Sequence, residues 1–544
     1  MTGAKSNYKK KIQDLISHVC LQRCLKIESA YWVVVGILLL CGIFKRICIP
    51  QVPFTGPDSI GYLGVALRQI MTGEFHCIAE RSWPYPGFLS ILLNIKSSYT
   101  IISTSQHLIG ALSVSLFAII WWNIREMFTY SYKAEKNVFF FLGLLGCFFF
   151  SQENAFIFIE HWSHPESITA PLGLLAIFGF VYLIKQQKTE KKIIFGIIYI
   201  QYLFFLTKFQ PRTTLSLIPC MLATLYFLFR NQRLLFFSAI TFLLSALFIY
   251  CFQILPFKRF CKKDQTRHTR SMTIFAGNMK AISEVLKSEK SNSKNTLETS
   301  ETFSLTQYEK AKNNGTVKAI GLGWHESLGY NACVFGDPSF YMTILSKEGG
   351  TRGAIKFYEK YILLSILRKP ELWFKKITSQ FYYGVFKQNI IAQTGKINGS
   401  WGYTADTLKT WPNELHGEFT SKYIIASEEL RNLNFLLHEN TKTLRRLFNF
   451  LYSYATYPFF ILFLLQIVFD KKTNNFDSVI IFIFTFIFFS FLTIAIVLSM
   501  DTQRYIMDLA PFFILLFLAG SFVVFQKILI LKRFVLRKSN IKVV

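Results

Sequence analysis

The chain is 544 residues long, 52% hydrophobic, with 58 Phe and a mean hydropathy of +0.33, a balance that excludes an ordinary soluble domain. Its formal charge of +28 would suit a nucleic-acid partner, but the basic residues fall in short clusters between apolar runs, which argues against that class. What remains is an all-α polytopic membrane protein.

A helix needs about 20 mainly apolar residues to cross a bilayer. Ten runs approach that length: 30–48, 100–122, 137–159, 167–185, 192–207, 212–229, 233–255, 447–468, 478–499 and 509–531. Lys5, Lys9, Lys10, Lys11, Arg23 and Lys26 precede the first and place the N-terminus in the cytoplasm. Alternating from there, Arg125 to Lys136, Lys185 to Lys192, Arg230 to Arg233, Lys471 with Lys472, and the tail carrying Lys532, Arg533, Arg537 and Lys538 all fall on the same side. The first run lies behind about thirty residues and has no small-residue cleavage site, so it is expected to stay as an anchor.

This count divides the chain into a cytoplasmic segment (1–29), a transmembrane module (30–255) with a first external loop (49–99), an extracytoplasmic region (256–446), C-terminal transmembrane helices (447–531) and a basic tail (532–544).

In the first external loop, GPDSIGYL places Asp58 ahead of an amphipathic run to Met71 that reads as an interfacial helix. Asp58 is either the N-cap of that helix or a functional carboxylate, and the two roles are compatible. Tyr62 falls one turn later on the same face if the stretch is helical. RSWPYPGFL follows; Pro84, Pro86 and Gly87 read as a turn back toward the membrane, and Arg81 could reach an anionic ligand.

Glu160, His161, His164 and Glu166 lie within seven residues between two spans. They read either as a hydrated loop with a helix-start Glu, or as groups that orient a sugar or a divalent ion; HWSH is not a metal-ligand spacing. Lys208, Arg212 and Arg504 stand at span ends on the Asp58 side, where cations either snorkel or meet an anion, and Tyr505 is an interfacial aromatic.

Between spans seven and eight a mixed extracytoplasmic domain is expected. Within it, residues 284–318 read as a polar loop, and the aromatic and basic stretch 358–389 reads as helices lying along the membrane. The ten Cys form no metal spacing. Cys41, Cys147, Cys220 and Cys251 sit in or beside spans, whereas Cys48, Cys77, Cys261 and Cys333 face the oxidising side, where Cys261 and Cys333 could pair.

Taken in order, DSIGYL, RSWPYPGFL, HPESITAPLG, LTKFQPR and QRYIMDLAPFF resemble the GT-C superfamily of membrane glycosyltransferases, in the branch that includes protein O-mannosyltransferases and the aminoarabinose transferase of lipid A. The resemblance covers 30–255 and 500–530. It implies a sugar donor on a polyprenyl phosphate, Asp58 as catalytic base or acceptor-positioning group, and Glu166 as the acidic residue opening a later span. The DS at positions 58 and 59 departs from the paired acidic motif of some members, so a divalent cation is neither assigned nor excluded.

The chemistry suits these residues. A carboxylate can take the acceptor hydroxyl proton, and fixed cations (Lys208, Arg212, Arg504) can offset charge on a departing phosphate. The leading expectation is an inverting glycosyltransferase acting outside the cytoplasm. A flippase of a lipid-linked sugar and a polysaccharide polymerase or ligase are the alternatives. The acceptor (lipid, glycan or protein) is not legible. The Phe, Ile, Lys and Asn bias points to an AT-rich, bacterial source, hence the inner membrane with both termini cytoplasmic.

Overall fold

The computed structural model describes residues 27–49, 51, 53, 59, 61–73, 83–128, 130, 133–209, 263–292, 299–313, 338–382, 475–497 and 509–541, with isolated positions at 220, 221, 224, 247, 443, 446, 447, 449 and 450. Nearly all of these residues are helical, and none lies in a strand.

In chain order the helices are α1 (Ile27–Ile47), α2 (Leu63–Thr72), α3 (Pro84–Ile95), α4 (Thr100–Arg125), α5 (Lys133–Gln152), α6 (Asn154–Glu160), a 3₁₀ turn (Pro165–Ile168), α7 (Thr169–Lys185) and α8 (Thr189–Phe209). A second group comprises α9 (Lys263–Gly277), α10 (Met279–Asn292), α11 (Ser300–Asn313), α12 (Pro338–Lys347), α13 (Thr351–Arg368) and α14 (Pro370–Tyr382). Two long helices close the chain, α15 (Asn475–Val497) and α16 (Ala510–Ile541).

Seven helical segments among the described residues are long and apolar enough to cross a membrane: Ile27–Ile47, Thr100–Arg125, Lys133–Gln152, Pro165–Lys185, Glu190–Phe209, Asn475–Val497 and Ala510–Lys532. They coincide with seven of the ten expected runs and are consistent with an integral multi-pass protein in a lipid bilayer. The runs at 212–229, 233–255 and 447–468 lie outside the described residues but for scattered positions.

Aromatic packing holds the bundle together. Phe117, Trp121, Phe139, Phe140, Phe149 and Phe150 are all buried between α4 and α5. Phe180 stacks on Phe482 at 4.1 Å and Phe486 on Phe512 at 4.2 Å, joining α7 to α15 and α15 to α16. Outward residues such as Val33, Ile37, Leu40 and Phe44 of α1 stay exposed, as a lipid-facing surface requires.

The two ends of the bundle differ chemically. At one end Glu28 of α1 meets Lys136 at 2.7 Å and Arg125 at 3.0 Å, while Lys185 meets Glu126 at 2.6 Å. These partly exposed pairs tie the start of α1 and α5 to the end of α4 and α7, which fixes the antiparallel order of the first spans. The opposite end is buried and carries the candidate site.

Several sequence expectations are corrected. The prolines at 84 and 86 open helix α3 instead of forming a turn, because a first helical turn has no use for their missing N–H groups. Helix α2 begins at Leu63 with Tyr62 as its N-cap residue, and Asp58, read as a candidate cap, lies outside the described residues. The run 137–159 breaks at Glu153, whose extended backbone and side chain cap α6 through the Ala155 N–H at 3.4 Å.

Residues 284–318, expected as a loop, hold the end of α10 and all of α11. Their few apolar side chains, Val285, Leu286, Leu305, Tyr308 and Ala311, fall on buried faces, so position on the helix outweighs the polar composition. The mixed domain contains only helices among its described residues. Of the expected surface helices, α13 turns Tyr358 and Tyr361 into a core against α9 and α10. Helix α14 packs on α15, where Lys376 donates to the Ile496 carbonyl at 3.3 Å.

Burial pushes the Lys376 ammonium down to about 7. Below that pH the folded state carries a desolvated charge that the unfolded chain hydrates, and as pH rises past it the folded lysine sheds its proton and the penalty fades. Lys376→Met is therefore expected to raise the melting temperature in detergent, by more at pH 6 than at pH 9; an unchanged or lower value at pH 6 would show that the amino group is not under strain.

Candidate functional site

The site begins where α1 ends. Lys45 and Arg46 close that helix and turn into the bundle. Lys45 Nζ donates to the Gln152 carbonyl at 2.6 Å. Arg46 is 1% exposed and donates to the carbonyls of Phe150 (3.1 Å), Ser151 (3.2 Å) and Gly42 (3.2 Å). The Phe150 and Ser151 carbonyls belong to the last turn of α5, which has no intrahelical donors left for them.

The rest of the guanidinium grips Glu160. Nε donates to Oε2 and Nη2 to Oε1, both at 2.7 Å, a bidentate fork that matches the planar carboxylate. Glu160 ends α6, so the break at Glu153 is what carries it back into the bundle. On α4, His107 Nδ1 lies 2.8 Å from the same Oε2, and His107 Nε2 lies 3.1 Å from Nε2 of His161. Gly110, one turn along α4, leaves room for the carboxylate: a Cβ there would stand 2.1 Å from Glu160 Oε1.

A second polar layer adjoins the first through α4. Gln106 Nε2 donates to the Tyr85 hydroxyl (2.5 Å) and to Ser167 Oγ (2.7 Å), and Ser167 Oγ donates to the His164 carbonyl at 2.7 Å. His164 Nε2 lies 3.0 Å from Ser59 Oγ, and its Nδ1 lies 3.9 Å from Glu166 Oε2. The rings of Tyr62 and Trp162 flank His164 at 5.5 and 5.0 Å. Burial pushes the Tyr85 phenol up, so it remains a neutral hydroxyl.

The chain between the first two spans is thereby seated on the end of the bundle. Helices α2 and α3 pack Tyr62, Leu63, Leu67, Tyr85 and Leu89 against Ile102, Ile168 and Phe209. Ser59, the residue that follows Asp58 in the chain, is fully buried against His164.

Of the residues singled out in the sequence, Tyr62, Glu160, His161, His164 and Glu166 come together here. The stretch from 160 to 166 is buried, at 5% exposure or less for these four acids and histidines, and the hydrated-loop reading is corrected. The Glu153 cap and the packing of α2 and α3 over this end explain why so polar a stretch lies inside. Glu160 has both oxygens occupied by Arg46 and His107, which makes it an organising group. Lys208 lies over the Phe204 ring at 5.3 Å, next to Phe209, whose ring contacts Tyr85 at 5.9 Å. Asp58, Arg81, Arg212, Arg504 and Tyr505 lie outside the described residues.

Sequence reading missed Arg46, Gln106, His107, Tyr85 and Ser59. Two signals were present. The KR pair at 45 and 46 sits at the end of the first span opposite the basic clusters, where an unpaired cation is costly, and QH at 106 and 107 interrupts an apolar run. Among the described residues no three His, Cys, Asp or Glu side chains converge as metal ligands. Cys41, Cys48, Cys147 and Cys220 are free thiols; Cys77, Cys261 and Cys333 lie outside the described residues.

No protein-family model, curated protein or solved structure matches the chain. The resemblance drawn from motif order therefore stands on those motifs alone.

Gly110→Ala should push the Glu160 carboxylate off His107 and cost about 1–3 kcal/mol of stability, seen as a lower melting temperature in detergent. Gly36→Ala, where nothing lies within 4 Å, should leave it unchanged or slightly higher. Equal melting temperatures for the two variants would refute this placement of Glu160.

Proposed function

We propose that the chain is a membrane-embedded inverting glycosyltransferase that moves a sugar from a polyprenyl-phosphate donor to a hydroxyl acceptor outside the cytoplasm. One observation carries the reading: at one end of the bundle, the loop containing the Asp58 motif is seated on the buried segment from Glu160 to Glu166 through Ser59 and His164. Buried acids and histidines at this end, beside a lipid-facing wall, suit a donor whose head group is polar and whose tail is hydrocarbon.

In this reading Asp58 takes the proton of the acceptor hydroxyl as the new glycosidic bond forms, and the phosphate departs with the bonding electron pair. Lys208, Arg212 and Arg504 offset the phosphate charge, with Tyr505 beside them at the interface. Tyr62, Arg81, His164 and Glu166 orient the sugar and acceptor. Both termini face the cytoplasm of a bacterial inner membrane, and the region from 256 to 446 stands outside, where it selects the acceptor.

A second reading, a flippase of a lipid-linked sugar, gains from the buried Arg46, Glu160 and His107, since charged groups inside a bundle also mark transport paths. Reconstitution in vesicles with a labelled polyprenyl-phosphate sugar separates the two. The transferase reading predicts bond cleavage and sugar transfer, reduced by about 10²-fold or more in Asp58→Asn with the protein still folded. Movement of intact donor without cleavage, or near-normal transfer by Asp58→Asn, would count against it.

A further inference from the structure

The helices from α9 to α14 meet the bundle at a definite height. The Ile496 carbonyl, in the last turn of α15 where no intrahelical donor remains, accepts from Lys376 Nζ of α14 at 3.3 Å and from Asn278 Nδ2 at 3.4 Å. The Phe381 ring lies 4.9 Å from Phe488 and 6.4 Å from Phe491. Passing from Lys376 to Phe381 on α14 thus means passing back from Ile496 toward Phe488 on α15, so the two helices are antiparallel.

At 23 residues α15 is about 34 Å long, close to the roughly 30 Å of a hydrocarbon core, so its ends mark the two membrane surfaces. Phe476, at its start, meets Phe128 at 4.4 Å beside the exposed ion pairs, which puts Ile496 at the end that carries the candidate site. The start of α14 and the corner that joins it to α13 therefore stand at that membrane surface.

Helix α13 reaches the corner with two unlike faces. Its inner face packs Ala354, Phe357, Tyr358 and Tyr361 into the core formed with α9 and α10. Its outer face changes character along its length. In the first half the exposed positions are Arg352, Lys356 and Lys360; in the second half, on the same stripe, they are Leu363, Ile366 and Leu367. Arg368, exposed beside them, is turned to Glu289 of α10 at 3.2 Å. Beyond the one-residue connection at Lys369, Phe374 of α14 is exposed in its turn. Leu367 and Phe374 are 68% and 71% exposed, as open as Phe44 on the lipid-facing side of α1 at 69%. Trp373 Nε1 donates to Ser365 Oγ at 3.0 Å, which braces one helix against the other at the corner.

We propose that the corner between α13 and α14 is a membrane wedge: Leu363, Ile366, Leu367 and Phe374 enter the leaflet at the site end, and Lys369 and Lys375 meet the phosphates of anionic phospholipids there. Its occupant is lipid because of where it stands and how its outer face is graded. A helix that runs from water into a bilayer needs charge on its outer face first and apolar side chains last, and α13 has that order. Four apolar side chains fall far short of the roughly 20–30 residues a side of a stable protein interface, yet they suffice for an interfacial anchor. Lys369 and Lys375 outnumber Glu371 at the corner, which suits an anionic surface. The surface-lying helices read from residues 358–389 are thereby reduced to one corner, and the core of α9, α10 and α13 is held above the bilayer by lipid as well as by the end of α15. The inference goes beyond the proposed transfer reaction and does not depend on it.

Photocrosslinking of the full chain tests it. Single variants Leu367→p-benzoylphenylalanine, Phe374→p-benzoylphenylalanine and Lys356→p-benzoylphenylalanine are reconstituted in vesicles of equal parts phosphatidylglycerol and phosphatidylcholine and irradiated. Phe44→p-benzoylphenylalanine serves as the lipid-facing reference, and mass spectrometry reads the partner. The wedge predicts phospholipid adducts at 367 and 374 within about threefold of the reference, and about tenfold fewer at 356. Adducts at 374 should favour phosphatidylglycerol by about threefold, a preference lost when Lys369→Gln and Lys375→Gln are added.

Crosslinks from 367 and 374 to a second copy of the chain or to another segment of the same chain, in place of lipid, would overturn the proposal. So would the absence of adducts at both positions while Phe44 gives them. A yield at 356 equal to that at 367 would show a helix lying flat on the membrane, and equal yields from the two lipids at 374 would refute the anionic partner.

Discussion

The buried pairing of Arg46 with Glu160 is the constraint on which the candidate site depends. A guanidinium taken out of water is tolerable only if its N–H groups find acceptors, and here they do: two carboxylate oxygens and three backbone carbonyls. The same bonds tie together three separate pieces of chain, the end of α1, the last turn of α5 and the end of α6. With them in place, His107 and His161 are held in line, and the turn that follows brings His164 under Ser59. Without them a charge would be stranded among Phe150, Phe156 and their neighbours.

The fold turns this local pairing into an asymmetric molecule. At the far end of the bundle the ion pairs around Glu28 and Lys185 are partly exposed and screened, and they serve chiefly to keep successive spans antiparallel. At the near end the polar groups are sealed in by α2 and α3. A membrane protein gains no hydrophobic drive from packing one apolar helix on another in lipid, so its aromatic interlocking sets shape, whereas buried hydrogen bonds set which loop goes where. The two kinds of interaction thus divide the work between scaffold and site.

How much of this was legible in the sequence follows from the range of each interaction. Length and apolarity act along the chain itself, so the spans at Ile27–Ile47, Thr100–Arg125 and Asn475–Val497 could be read directly. The grouping of Glu160, His161, His164 and Glu166 was visible because those residues are neighbours. Their burial was not, since it depends on the Glu153 break and on helices α2 and α3 folding back over them. Arg46 and His107 meet Glu160 from 114 and 53 residues away, a relation that no local pattern encodes. Residues 284–318 failed in the opposite direction: a polar average concealed a narrow apolar stripe on α10 and α11.

The central claim is that Arg46 and Glu160 act as one unit on which this end of the protein is built. A double-mutant cycle on the purified chain in detergent, with Arg46→Met, Glu160→Leu and the two combined, measures it directly by thermal unfolding. Each single change should cost about 3–5 kcal/mol by leaving its partner buried and alone, and the double should lose clearly less than the sum of the two. Losses that simply add, or single variants as stable as the wild type, would contradict the account.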